Sequence, residues 1–280
     1  LGSDSTASGY VSTALGSDSN ASGNYSTALG EDSEASGDKS TALGSDSQAI
    51  GDDSTALGSE ANASTFFSTA VGVGSTASCG MATSLGMTSN ATGYGSTSIG
   101  VTSFSCGFAS IAIGAAARAI SPNVSEIITD ICGVTTSSTL SSCYTSPSTA
   151  IGTYSCACGS GATTIGSAAY SAGNYTTAIG TASSASGNYS TAIGSTSDAS
   201  GDFSMAIGTN STASGNYSTA IGYGSYSSND NEIAIGSSTA SILIRALSSN
   251  EQSLIVASSE GILSAVPYGD TVYDATNVAI

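Results

Sequence analysis

Glycine recurs every 14 residues, at Gly2, Gly16, Gly30, Gly44, Gly58, Gly72, Gly86, Gly100 and Gly114, and after one interruption at Gly152, Gly166, Gly180, Gly194, Gly208, Gly222 and Gly236. A fixed period of this kind is the signature of a chain built by stacking copies of one small unit. Within a unit such as Ser5 to Gly16 the pattern Ser-x-Ala-x-Gly occurs twice, seven residues apart. Seven residues are too few for a helix and its return, and the small residues alternate with period two, so each unit should hold two short strands. Glycine and the polar pair that follows it should form the turns, because glycine accepts the positive φ of a tight corner.

Alternation then assigns the faces. Ser5, Ala7 and Gly9 of the first strand share a side with Ser12, Ala14 and Gly16 of the second, and all are small enough for the two strands to approach closely. The coil should therefore be flat with a thin interior, and coils stacked in register satisfy one another's backbone hydrogen bonds. About fifteen intervals of roughly 4.8 Å make a parallel β-roll, or β-solenoid, about 70 Å long. On the other side of the second strand lies a single aliphatic column: Leu15, Leu29, Leu43, Leu57, Val71, Leu85, Ile99, Ile113, Ile151, Ile165, Ile179, Ile193, Ile207, Ile221 and Ile235, with Leu1 at its start. A monomer would expose that stripe to water, which soluble monomers rarely tolerate. Burying each member is worth roughly 1.5 to 3 kcal/mol, so self-association along the column is expected.

Composition narrows the function classes. Glycine supplies 35 of 280 residues, His and Trp are absent, and Phe numbers 5, so a core of Leu and Phe is excluded. Three Lys+Arg against 20 Asp+Glu argue against nucleic acid as a partner. No apolar run reaches the roughly 18 residues needed to span a bilayer as a helix, and this segment is not expected to insert into a membrane. The chain opens with Leu1-Gly2 inside a repeat, and is read as a processed piece or an internal segment of a longer protein. With no His, no nucleophile elbow and no paired carboxylates outside the repeat columns, acid-base or triad catalysis has no candidate constellation, and the chain is read as not an enzyme.

The unit Ser-Thr-Ala-Ile-Gly-x-x-Ser-x-Ala-Ser-Gly-Asn-Tyr, read from Ser190 to Gly201 and again from Ser218 to Ser228, resembles the head repeats of trimeric autotransporter adhesins of the YadA-like type. The likeness runs from residue 1 to about 236. It implies a left-handed all-β roll, a homotrimer packed around an axis, and display on a bacterial surface, where a host surface protein or glycan is bound. Similar repeats occur in the fibres of phages and large viruses, which implies an attachment or structural fibre as the alternative. Tyr268 to Thr271 and Asp274 to Val278 are similar to the neck segment that follows such heads.

The interval from Gly114 to Gly152 is 38 residues, one repeat and a further 24, so the segments are expected to be roll repeats over 1–119, an inserted cysteine-containing loop over 120–147, roll repeats over 148–240 and a non-repeat β cap or neck-like segment over 241–280. The loop departs from Ser-Gly monotony with Pro122, Glu126 to Ile128, Cys132 and Cys143, and is the expected place for a binding excursion. In the last segment the apolar runs Ser241 to Leu247, Ser253 to Ala257 and Gly261 to Val266 read as strands that cover the open end of the roll.

Six cysteines in a surface-like chain favour disulfides. Cys132 and Cys143 flank a short loop and form one candidate pair. Cys106 and Cys158 share an outward column; they are neighbours if the insertion replaces a coil, and about 9.6 Å apart, too far to bond, if it leaves the coil in place. Cys156 and Cys158 are successive same-side residues, and Cys79 points inward. Zinc is not expected, since there is neither a Cys-x-x-Cys pair nor a His. Asp4, Asp18, Asp32, Asp46 and Glu60 make an acidic column at one turn, whose mutual repulsion either calcium or a hydrated, salt-screened surface could relieve. Tyr25, Phe67, Tyr175, Tyr189, Phe203 and Tyr217 recur at one turn position, as an aromatic edge for subunit packing or for stacking on sugars. Thr13, Thr27, Thr41, Thr55, Thr69, Thr83 and Thr97 form a column that invites an ice- or mineral-binding reading, but its neighbouring column is aliphatic where a second Thr row would be needed. Asn-x-Ser/Thr sequons at Asn20, Asn24, Asn62, Asn90, Asn123, Asn174, Asn188, Asn210 and Asn216 would matter only in a glycosylating host.

Overall fold

The computed structural model describes residues 2–120 and 147–237 in full, together with the backbone of two further strands at Ser253–Ala257 and Leu263–Pro267. The chain divides into two compact units, Leu1–Ala240 and Ser241–Ile280.

The first unit is a solenoid of thirty short strands, β1 to β30, two per coil. The odd-numbered strands, from β1 (Thr6–Ala7) to β29 (Tyr226–Ser227), form one 15-stranded sheet; the even-numbered strands, from β2 (Thr13–Leu15) to β30 (Ile233–Ile235), form a second. Every pairing in both sheets is parallel and joins residues one repeat apart, as in Thr13↔Thr27, Ala14↔Ala28 and Leu15↔Leu29. The strands are this short because a residue with positive φ punctuates every turn, and the ladder compensates for their length. The Thr13 N–H donates to the Ser26 carbonyl at 2.9 Å and the Thr27 N–H to the Ser40 carbonyl at 3.0 Å, coil after coil.

The interior is as thin as the sequence requires. Its alanines, Ala21, Ala28, Ala35, Ala42 and their successors, are fully buried, alternating along the chain with equally buried serines such as Ser19, Ser26, Ser33 and Ser40. At three places where serine replaces an interior alanine, its hydroxyl meets the serine five residues on: Ser84 with Ser89 at 2.6 Å, Ser98 with Ser103 at 2.8 Å, Ser105 with Ser110 at 2.9 Å. At these positions the added polar atom enters the core with a partner opposite it.

The corner glycine carries positive φ at the first turn, as expected, but not at the second, and at neither turn does it carry it alone. In each coil the first turn follows the pattern Gly16-Ser17-Asp18 and the second Gly23-Asn24-Tyr25. The left-handed residue is the third of each, and in most coils it is not glycine: Asp18 has φ 52°, Tyr25 59°, Lys39 57° and Phe203 56°. The first-turn glycines have positive φ as well, 138° at Gly44. What favours glycine at the corners is closeness between coils, although Thr65, Cys79 and Asn229 take the second corner in three of them. A Cβ on Gly44 would stand 2.5 Å from the backbone of Gly58, and each glycine of the column meets the next one in the same way.

β17 (Arg118–Ile120) lies between β15 (Phe104–Cys106) and β19 (Cys156–Ala157), while β18 (Thr149–Ile151) continues the second sheet. The insertion therefore lengthens one second turn and leaves its coil in place. Residues 121–146, with Cys132, Cys143 and Asn123, lie outside the described residues. In the second unit, β31 (Ser253–Ala257) pairs antiparallel with β32 (Leu263–Pro267). The run Ser241 to Leu247, and the expectation that this segment closes the roll, also fall outside the described residues.

Candidate functional site: the outward ladders

Four outward features can meet a partner, and each is a ladder because register stacks like on like. The first is the aliphatic column of the second sheet. All fifteen members from Leu15 to Ile235 point away from the interior, paired in register through Ile99↔Ile113, across the insertion at Ile113↔Ile151, and on to Ile221↔Ile235. None is buried; exposure reaches 47% at Leu15 and 50% at Ile235. The adjoining outward column is the Thr row, interrupted by Ile111, Met205 and Ile233.

The second is acidic. Asp4, Asp18, Asp32, Asp46 and Glu60 all occupy the left-handed position of the first turn, one per coil. Ser3, Ser17 and Ser45 each donate a hydroxyl hydrogen bond to the carboxylate that follows, at 3.0 Å. Among the described residues no three His, Cys, Asp or Glu side chains come together as a metal site. Elsewhere, burial raises the Asp198 pKa against the opposing hydrogen bond from Ser184, and burial raises that of Cys79, with Cys106 adding to the rise. The Asn229 and Ser228 N–H groups hold Glu232 below the usual carboxylate range.

The third ladder is aromatic. Tyr175, Tyr189, Phe203 and Tyr217 stack at the second turn of successive coils with centroids 5.3, 4.9 and 5.0 Å apart and planes within 16°, 4° and 1° of parallel. Their faces are turned toward one another, so within the stack no aromatic face is open to a sugar ring. Tyr25 instead meets Tyr10 edge-on at 5.5 Å, and Phe67 meets Phe66 at 6.0 Å. Beside the rings runs a polar rail that the sequence reading did not single out. The Asn174 N–H donates to Asn188 Oδ1, Asn188 to Asp202, Asp202 to Asn216 and Asn216 to Asp230, at 2.8 to 3.1 Å. The same rail joins Tyr10, Asn24, Asp38 and Asp52 in the first coils. The signal was the recurrent Asn or Asp before the aromatic, whose short side chain reaches the N–H one coil back only when the turns are in register.

The fourth feature surrounds the insertion. Arg118, 9% exposed, lies 5.9 Å from the Phe104 ring centroid and lines a cavity of about 200 Å³ with Ala116, Tyr154, Cys156, Ala168 and Tyr170. The disulfide expectation for Cys106 and Cys158 is corrected here. Cys106 pairs in register with Ile120, so a whole coil separates it from Cys158, whose sulfur bonds Cys156. The same-side pair can close because β19 ends at Ala157: the chain starts to turn there and the two Cα atoms lie 5.7 Å apart, within disulfide reach.

The family model of the YadA head domain repeat matches residues 1–19, 7–33, 21–47, 35–61, 49–75, 171–197, 199–225 and 213–239, together just over half of the chain. The chain belongs to the YadA head-repeat family. Among solved structures, the collagen-binding domain of the Yersinia adhesin YadA is similar at 22% identity over 78% of each chain, with a TM-score of 0.28. No curated protein matches the sequence. The matched YadA head repeats fall on both sides of the insertion, so the Arg118 cavity and the Cys156–Cys158 bridge lie in the part of the roll that the repeat model leaves unmatched.

Proposed function

We propose that this chain is a non-enzymatic, extracellular adhesin head: a homotrimeric rod whose copies join along the aliphatic ladder and whose turns face host or environmental ligands. The observation that carries the reading is the ladder itself. Fifteen aliphatic side chains stand in one uninterrupted, in-register column on the outside of the second sheet, half-exposed and backed by a core too thin to take them. An apolar stripe that long calls for a partner with the same repeat, and a second and third copy of the chain supply it. Membership of the head-repeat family supports the adhesin role and a surface location. Cysteines bonded as Cys156–Cys158 are in keeping with an oxidising compartment.

Replacing Ile179, Ile193 and Ile207 together by Ser should reduce the mass in sedimentation equilibrium to that of a single chain, while circular dichroism keeps its β signature. An unchanged mass would refute the seam. The intact protein should also bind at least one surface in a panel of matrix proteins and glycans; a blank panel would count against the adhesin role and leave the seam standing.

A further inference from the structure

We propose that the stack of Tyr175, Tyr189, Phe203 and Tyr217, with the carboxylates beside it, is a binding site for flat, conjugated, cationic molecules lying along the rod. Three intervals of about 5 Å carry the stack about 15 Å along the roll, the length of a two- or three-ring conjugated molecule. Because the rings cover one another's faces, what they present outward is a continuous strip of ring edges, half-exposed and 60% exposed at Tyr217. A strip suits a long flat body laid across all four rings, and it suits a globular sugar poorly.

The strip is already rigid. Each ring sits on a left-handed residue, with φ between 55° and 57°, and that backbone is pinned from both directions. The Tyr189 N–H donates to the Asn174 carbonyl, Phe203 to Asn188 and Tyr217 to Asp202, while the Asn/Asp rail ties the preceding residues one coil onward. Little backbone freedom remains to be lost on binding, which lowers one of the costs that weaken small-molecule affinity. The preference for a cation comes from the charge on the same edge: Asp202 precedes Phe203, Asp230 caps the Asn216 N–H, and the whole chain carries a formal charge of −17. In the first half of the roll the second-turn rings are edge-on or separated by Lys39 and Asp53, apart from one stacked pair, Tyr94 and Phe108 at 5.9 Å, and no strip of four rings forms.

Thioflavin T, a flat cationic dye of suitable length, is the probe. Its fluorescence should rise saturably on titration into the intact protein. Tyr189→Asn with Phe203→Asn removes the two central rings and puts a residue that accepts left-handed φ in their place. Affinity should fall at least tenfold in this variant while circular dichroism and sedimented mass stay unchanged. Tyr217→Asn, which shortens the stack by one ring, should weaken binding by a smaller factor, and Phe67→Asn in the other half of the roll should leave it as it was. Asp202→Asn keeps the acceptor oxygen of the rail and removes only the charge, and should weaken binding several-fold. Absence of dye binding by the wild-type protein, or equal binding by the double variant, would overturn the site; equal binding by Asp202→Asn would overturn the preference for cations. The seam in the second sheet is untouched by all four variants, so either result stands apart from the adhesin reading.

Discussion

At the scale of the residue, the roll treats its two serine columns differently. Serine after the first turn closes it: Ser33 donates its hydroxyl to the Gly30 carbonyl at 3.0 Å, and Ser47 to Gly44 at 2.8 Å. The matching serines after many second turns, among them Ser40, Ser54 and Ser204, are buried with no hydrogen-bond partner for Oγ. A buried hydroxyl without a partner costs about 1 to 3 kcal/mol, whereas a made bond contributes about 1. Ser33→Ala should therefore lower the thermal unfolding midpoint and Ser40→Ala should raise it or leave it unchanged, although the two look equivalent in the sequence. Differential scanning calorimetry on the two single variants checks the sign.

At the scale of the element, each turn joins two requirements that happen to fall on different residues. The corner glycine is needed for the approach of the next coil; the third residue is needed for left-handed φ, and the chain spends Asp, Tyr, Phe, Lys and Thr on it. Left-handed backbone costs an ordinary L-residue on the order of 1 kcal/mol, so the ladder must outweigh a small strain twice in every coil. Gly44→Ala should disrupt the roll, because the new Cβ meets the Gly58 backbone and has nowhere to move. Gly95, with φ +64° and open space around it, should accept Asn with little change. Soluble yield and unfolding midpoint of the two variants separate the roles. The sequence period located both turns; it could not say which glycine property each one used, since close approach between coils is a contact across 14 residues.

At the scale of the whole roll, charge is distributed unevenly. Ten of the chain's 20 acidic residues fall within the first 60 positions, five of them stacked at the first turn, with Lys39 as the one cation there, 3.9 Å from Asp53. Carboxylates one coil apart repel at a spacing shorter than the Debye length of about 10 Å at 0.1 M salt. The unfolding midpoint should rise with sodium chloride, and Asp18→Asn with Asp32→Asn, which keep the left-handed backbone, should flatten that dependence. A midpoint independent of salt in the wild-type protein would show the stack to be fully hydrated and without energetic consequence.

The sequence by itself determined the coil, its two strands, the small interior and the face of every ladder, because a 14-residue period combined with a two-residue alternation leaves one arrangement that buries Ala, Ser and Gly and turns Leu and Ile outward. Tertiary structure alone decided what depends on distances between coils. Ile120 between Cys106 and Cys158 sends the second sulfur to Cys156; the Asn and Asp rail forms because each side chain finds an N–H one coil back; and Tyr175, Tyr189, Phe203 and Tyr217 become a face-to-face stack, not four separate exposed rings. Period fixes which residues share a column. Only the stacking of coils fixes how near their atoms come, and binding, bonding and strain all depend on that distance.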